Sequence, residues 1–559
     1  MTFTHVDEEL LLDYQSLGEH QAAVTFLDSA GITAEVTYRQ LADRARGAAG
    51  ALLARGLSQG DRVLLPLGTG SDHLAAVWGC LLAGLIPCTI TVPPSPEDEA
   101  ATGTRQFRAA VTVTEPAAVI TADGETATAL TTGDGPRYLT VADLDHPPAS
   151  GEQLATPGPD DAHHIQLTSG STSAPKAAVL TYAQVTANVR AIHRALELDP
   201  ARDRVCHWLP LHHDMGFILS LSTLARGVPL DLMPSISFLR DPLSWLRHIS
   251  RRGATITTAP PFGYRTATAR FRRTPDTDLD LTTLRQAYVG AEPIPLKALT
   301  DFRDTFAKQN LDETAIIPCY GMAETVLAAT MSLNRREPGD LSWGRVKALR
   351  LDREDLHHYN KVTDAHGDRP TTTVIACGTP LGGLTVHIRT PDGTECADNE
   401  IGEIHLRGDS VMAGYLQPGG TTAPVTDRTH ATGDLGFTRD GDLYIVGRAK
   451  ELLIVNGRNL PPYDVEETIE THPDIDAGNS AVFSYTDDAG EHIVATVEAR
   501  LRADQHERLK REASMLVRQS FGFNLQNVIV LRRGGIPRTT SGKRQRSRLR
   551  EDYLTGRLA

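Results

Sequence analysis

Between Asp61 and Val92 the chain reads DRVLLPLG, then SDHLAAVWGCLLAG, then IPCTITV: a short apolar run, an apolar run of helical length, and a second short apolar run. Two buried strands joined through one helix pair in parallel by a crossover, so this order points to an α/β fold with a largely parallel sheet. Just upstream, YRQLADRARGAAGALL sets Leu41, Ala45, Ala48, Ala49 and Leu52 on one face of an amphipathic helix, with Gly56 and Gly60 as stops. The stretch from Glu99 to Gly158 is rich in Ala, Thr, Gly and Pro, yet AAVITA within it reads as a strand, which makes the region sheet plus loops. A chain of 559 residues exceeds one ordinary core, so several packed subdomains are expected. Near the end, GDLYIVGRAKELLIVNGRN alternates strand-like runs with glycine turns, and YDVEETIETHP and HIVATVEARL follow as a small separate α/β unit. The expected division is 1–449 and 450–559, at Lys450.

A formal charge of −14 gives no global attraction to nucleic acid or anionic lipid. Lys543, Arg544, Arg546, Arg548 and Arg550 form a local basic run, which reads as a solvated helix face or a surface for an acidic partner. The six cysteines lack CxxC spacing, so buried free thiols are expected in place of a zinc ribbon or a disulfide framework. No stretch approaches the roughly 18 to 20 apolar residues of a membrane span, and the first residues have no basic and apolar leader pattern; the expectation is a cytoplasmic protein.

The segment IQLTSGSTSAPKAAVL, Ile165 to Leu180, runs a strand into a loop of small hydroxyl residues closed by Pro175 and Lys176. Such a loop can offer backbone N–H groups, hydroxyls and an ammonium to phosphate oxygens. It is not a Walker A loop, because Lys176 follows a proline and precedes Ala177. Thr168, Ser169, Gly170, Ser171, Thr172, Pro175 and Lys176 resemble the phosphate loop TSGSTGxPKG of the AMP-forming acyl-adenylate superfamily, with Ser173 and Ala177 each in place of a glycine. Those two departures stiffen the loop.

The resemblance extends over nearly the whole chain and implies a large multi-subdomain N-terminal domain with mixed sheets, followed by a small mobile α/β C-terminal domain. Gly290, Ala291 and Glu292 (VGAEPI), with Tyr320, Gly321 and Met322 (CYGMAET), are similar to the family's adenine-binding segments, and Glu324 to its Mg²⁺ ligand. Asp434 (ATGDLG) is similar to the acidic residue that accepts from the ribose hydroxyls, Arg448 (GRAKELL) to a further nucleotide contact, and Lys450 to the hinge. Lys543 (TTSGKRQR) resembles the lysine that holds the attacking carboxylate and the α-phosphate in line.

WLPLHHDMGF, Trp208 to Phe217, resembles a segment of the fatty acyl-AMP ligases, with His212 in place of the usual tyrosine; it implies an acyl pocket at His212, Asp214, Met215 and Gly216, with His213 as a gate. Consecutive side chains diverge, so a metal shared by His212, His213 and Asp214 is not expected. APPFGY adds Phe262 to the pocket, and 333–374 occupies the place of an insertion that in those relatives restrains the C-terminal domain and discourages CoA. The resemblance therefore implies use of ATP and Mg²⁺ to convert a fatty or related carboxylic acid into an acyl-AMP, then transfer to an acyl carrier protein. A CoA ligase, a stand-alone adenylation enzyme for an amino or aryl acid with Asp214 pairing an ammonium, and a silent adenylate-binding module stand as alternatives.

Overall fold

The computed structural model describes residues 23–99, 101–131, 133, 135–147, 154–168, 175–335, 337, 339, 341–455, 458–487, 490–538 and 542–558. The three runs at 61–92 form the strand Arg62–Leu65, the helix Ser71–Leu82 and the strand Ile86–Thr89. The two strands pair in parallel, and Ala118–Thr121 and Arg137–Thr140 extend the same parallel sheet. The helix Tyr38–Ala54 starts at Thr37, whose hydroxyl accepts from the Gln40 amide while the Gln40 side chain caps Thr37 in return. Leu41, Ala45, Ala48, Ala49 and Leu52 are all buried against the Ser71–Leu82 helix, as their spacing predicts. Burial of each leucine there contributes about 1.5–3 kcal/mol.

The largest sheet has nine strands. Its centre, Ile316–Gly321, Gln286–Val289, Ile256–Ala259, Val205–His207, Leu230–Leu232 and Ala23–Leu27, is parallel, and both edges are antiparallel. WLPLHHD, PPFG and GAE leave the carboxyl ends of the Val205, Ile256 and Gln286 strands, and the YG of CYGMAE closes the Ile316 strand. The carboxyl edge of an open parallel sheet is where ligands bind, since the loops leaving that edge converge there. A meander of Leu384–Arg389, Gly402–Gly408, Thr429–Arg439 and Asp442–Arg448 supplies a second wall.

From Leu453 onward the chain has its own apolar clusters, built on the strands Ile475–Asp487, Gly490–Ala499 and Asn527–Leu531 and on the helices Pro462–Ile469 and Ala503–Phe521. Four of the six cysteines are buried and all are free thiols. Among the described residues, no helix is long and apolar enough to cross a membrane.

Candidate active site

One cleft of about 2920 Å³ runs between the carboxyl edge of the large sheet, the meander and the C-terminal lobe. Thr168 and Lys176 reach it from the two strands of a hairpin in which they pair directly; Ser169, Gly170, Ser171 and Thr172, and with them Ser173, lie outside the described residues. The Lys176 ammonium sits 4.8 Å from the centroid of the Tyr415 ring, and the Tyr415 hydroxyl donates to Glu324 Oε1 at 2.7 Å. A single aromatic ring thus locates both the loop cation and the carboxylate expected to bind metal. Tyr415 carries no local sequence signal; its strand, Gly414–Leu416, joins the hairpin only in three dimensions. A carboxylate held through one oxygen at the wall of the cleft suits Mg²⁺, which is bound through one or two carboxylates together with substrate phosphates. Among the described residues no three His, Cys, Asp or Glu side chains group as a metal cage.

On the opposite wall the Tyr320 hydroxyl donates to Asp434 Oδ2 at 2.7 Å, and Arg448 Nε lies 3.7 Å from Asp434 Oδ1. Burial raises the Asp434 carboxyl above the ordinary carboxylate range, against the opposing influence of Arg448, the tyrosine bond and Lys543. Met322, Ala291 and Glu292 complete this wall. Gly290 is forced: a Cβ there would meet the Cys319 carbonyl and Sγ at 2.8 Å. Gly321 is equally tight against the Leu327 carbonyl. Ala291 adopts φ +68°, a strained left-handed conformation at the mouth of the cleft.

Asp214 opens the helix Asp214–Ala225, and its carboxylate accepts from the Met215 amide at 2.7 Å. His213 Nδ1 lies 3.0 Å from Asp214 Oδ1, so these consecutive side chains meet and do not diverge. The reason is local: His213 has extended backbone and Asp214 is the first helical residue. Burial works against the ionised Asp214, but the His213 contact, Lys543 and the Met215 amide hold its carboxyl below the usual range. His212 turns away to Thr91 Oγ1 at 3.1 Å, and burial pushes its pKa down to about 3, leaving a neutral imidazole. His212, His213, Asp214 and Met215 line the cleft. Gly216 and Phe262 stand behind it: Gly216 backs onto the Pro210 carbonyl, and Phe262 packs on Trp208 with ring centroids 5.5 Å apart.

Lys543 enters the cleft from the C-terminal lobe and acts electrostatically on both Asp214 and Asp434. Its neighbour Gly542, at φ +89°, presses against the Phe262 ring so closely that no Cβ fits. Of the basic run, Arg548 and Arg550 are exposed, whereas Arg544 and Arg546 turn inward as a clamp. Arg546 donates to both oxygens of buried Glu466 at 2.8 Å and to Glu451 at 2.8 Å, and Arg544 pairs with Glu466 and with Glu470, the latter at 2.9 Å. Burying Arg544 and Arg546 requires anionic partners, and Glu466 and Glu470 provide them. Lys450 lies in the short turn Ala449–Glu451 and also lines the cleft.

Within 333–374, the strand Ala348–Asp352 pairs with Thr371–Ile375, and the helix Arg353–Tyr359 that follows it packs onto the C-terminal lobe. His357 Nε2 lies 2.8 Å from Asp464 Oδ2 in a buried pair. The Arg353 guanidinium sits 4.5 Å from the Phe521 ring centroid and donates to the Ser520 carbonyl at 3.3 Å.

Residues 15–416 match the family model described as AMP-binding enzyme, and 450–559 match one described as Disco-interacting protein 2-like, AMP domain. The long-chain-fatty-acid–AMP ligase FadD26 of Mycobacterium tuberculosis is 33% identical, with 94% of this chain and 92% of the relative covered. A Caulobacter vibrioides relative named as an acyl-CoA synthetase is 32% identical over 98% of this chain and 95% of its own length. Among solved structures, one from work on fatty acyl-adenylate ligases of E. coli and L. pneumophila superposes with a TM-score of 0.87 at 31% identity, covering 98% of this chain and 97% of the other. A fatty acyl-adenylate ligase from L. pneumophila in complex with acyl adenylate and pyrophosphate gives 0.73 at 27% identity, over 99% and 96%.

Proposed function

Because the chain belongs to the AMP-binding enzyme family, we propose that it activates a fatty acid with ATP and passes the acyl group to the phosphopantetheine thiol of an acyl carrier protein. The observation that carries this reading is the convergence on one cleft of the Tyr320–Asp434 pair, the Glu324–Tyr415–Lys176 cluster and Lys543.

In the first half-reaction a carboxylate oxygen bonds to the α-phosphorus of ATP and the bond to the β-phosphate bridging oxygen breaks, giving acyl-AMP and pyrophosphate. Asp434 accepts from the ribose hydroxyls, Tyr320 packs on adenine, and Thr168, Lys176 and the 169–172 loop hold the phosphates. Gly290 through Glu292, with Gly321 and Met322, form the adenine wall, and Arg448 supports Asp434. Glu324 is the residue to hold Mg²⁺, which when bound neutralises charge on the phosphates. Lys543, which lines the cleft and acts on Asp214 and Asp434, holds the attacking carboxylate and the α-phosphate together in this reading, which removes orientational entropy and stabilises the charge that builds. In the second half-reaction the thiolate attacks the acyl carbon, AMP leaves, and the thioester remains. The lobe 450–559 turns about Lys450 between the two steps and withdraws Lys543.

The carrier protein is favoured over CoA by the His357–Asp464 and Arg353–Phe521 contacts, which tie 333–374 to the lobe that must turn. An amino-acid substrate is disfavoured because Asp214 is already engaged by His213 and the Met215 amide. The deciding experiment is mass spectrometry of products from enzyme, Mg·ATP and fatty acids with either CoA or a holo carrier protein. Acyl-carrier product with little acyl-CoA is expected; efficient acyl-CoA formation overturns the acceptor assignment, and absence of pyrophosphate release overturns the activity.

A further inference from the structure

The helix Pro261–Arg273 follows the strand Ile256–Ala259 at the carboxyl edge and carries Phe262 and Arg265, which stand three residues apart and so share one face. Two glycines of the C-terminal lobe rest on these two side chains. Gly542 presses on the Phe262 ring. Gly478 lies in the irregular step between Ile475 and Ser480 of the strand Ile475–Asp487, at φ +86°, and a Cβ there would stand 3.0 Å from Arg265 Nη2 and 3.4 Å from its Cζ. The backbone of one lobe thus meets adjacent side chains of the other directly.

One side chain joins the two glycines. Arg538 Nη1 donates to the Gly542 carbonyl at 3.2 Å, and its Nη2 donates to the Gly478 carbonyl. On either side of Lys543 the chain is closed by an antiparallel bridge between Arg538 and Arg544, and the Gln545 amide donates to the Pro537 carbonyl at 2.9 Å. Arg544 and Arg546 anchor the segment after Lys543 to Glu466 in their own lobe, whereas Arg538 anchors the segment before it to the surface that touches the other lobe. Stability alone does not favour Arg538 in this place. Its bonds go to carbonyls, and among the described residues no carboxylate lies within ion-pair distance of it. Burial, Arg544 and Arg265 lower its pKa against the opposing pull of Glu498 and Glu292. What the guanidinium supplies is a fixed fork of N–H donors, which holds two carbonyls at a set spacing as a single ammonium cannot.

We propose that Arg538 is a positioning residue for acyl-AMP formation: by tying Gly542 to Gly478 it seats both on Phe262 and Arg265, and that seat sets how far Lys543 reaches into the cleft. This rests on the acid-activating reading of the cleft and on the role given there to Lys543. Because the seat spans both lobes, it is made while Lys543 is in the cleft and opens when the lobe turns for transfer. Arg538 therefore serves the first half-reaction and not the second.

The test compares the full-length wild type with Arg538→Lys, which keeps the charge and loses the fork. Single-turnover assays follow each half-reaction: pyrophosphate release from Mg·ATP with dodecanoic acid, and transfer from supplied dodecanoyl-AMP to a holo carrier protein. Pyrophosphate release is expected to slow by about tenfold to a hundredfold, from a lost bond to a charged group and a displacement of about 1 Å, with half-saturating ATP within about threefold. Transfer is expected to stay within about threefold of wild type, whereas a lobe that was merely destabilised would slow both steps. A second measurement pairs Gly478→Ala with Arg265→Ala, one on each lobe. The strain of an alanine at φ +86° is the same with either residue at 265, so it cancels and the cycle isolates the contact between lobes. Gly478→Ala is expected to slow pyrophosphate release at least about threefold more when Arg265 is present than when it is alanine, with no such coupling in transfer. Release by Arg538→Lys within about threefold of wild type overturns the proposal, as do equal losses in both half-reactions or a coupling below about threefold. A wild-type enzyme that releases no pyrophosphate with any acid overturns the activity itself, a result distinct from a misassigned Arg538.

Discussion

Substituting Glu466 by glutamine tests whether the C-terminal clamp positions Lys543. Glu466 is buried on the helix Pro462–Ile469; both its oxygens accept from Arg546 at 2.8 Å, the Val482 amide donates to it at 2.9 Å, and Arg544 pairs with it. Burial alone would raise its carboxyl, but Arg544, Arg546 and the Val482 amide bring it to about 2 from an ordinary 4.5. Because the folded value is the depressed one, this stability is fully present above about pH 4.5 and is lost as pH falls toward 2. A shift of that size corresponds to about 3 kcal/mol, in line with the cost of breaking a buried pair and leaving its partner charged. The four tryptophans, Trp78, Trp208, Trp245 and Trp343, all precede residue 450, so their fluorescence would not report the change. Amide hydrogen exchange read by mass spectrometry does: protection across Pro462–Ile469 and around Val482 should drop about a hundredfold at neutral pH, with the gap between variant and wild type closing as pH is lowered from about 5. Displacement of Lys543 by even about 1 Å should lower acyl-AMP formation about a hundredfold. Transfer from supplied acyl-AMP, which does not use that lysine, should fall less than about threefold. Protection reduced less than about fivefold, or both half-reactions falling together, would refute the clamp as the device that positions Lys543.

Lys543→Ala should cut pyrophosphate release by about 10²- to 10³-fold and leave thiol transfer from supplied acyl-AMP nearly unchanged, as single-turnover assays of each step would show. Tyr415→Phe removes the donor to Glu324 and should raise the Mg²⁺ concentration for half-maximal rate about tenfold, read by metal titration at saturating ATP. Since the Asp434 carboxyl is raised by burial, it protonates at a higher pH than an ordinary aspartate. The KM for ATP should therefore climb at a higher pH than an ordinary aspartate would cause as the solution is acidified, and at a higher pH still in Arg448→Ala, which loses the opposing charge; initial rates across pH would check both. Replacing Arg353 and His357 together by alanine frees 333–374 from the C-terminal lobe and should raise acyl-CoA formation at least about threefold against acyl-carrier formation, measured by product mass spectrometry.

The features legible in the sequence are those carried by neighbours along the chain. The helix Tyr38–Ala54 follows from apolar spacing and a local cap, the parallel pairing of Arg62–Leu65 with Ile86–Thr89 from the helix between them, and the family from short motifs in order. The carboxyl-edge placement of WLPLHHD, PPFG, GAE and CYGMAE follows from strands that can be read one at a time. What pairs with what across long separations is not legible there. Tyr320 meets Asp434 over 114 positions, Tyr415 meets Glu324 over 91, and Arg544 meets Glu466 over 78. The contact of His213 with Asp214 joins adjacent residues, but it depends on a helix starting between them. Local periodicity determined which segments form strands and helices and which motifs stand at their ends, because that information repeats every two to four residues. Only tertiary structure decided that Arg544 and Arg546 turn inward as a clamp on Glu466 and Glu470, because desolvation assigns each buried charge a partner chosen from the whole chain.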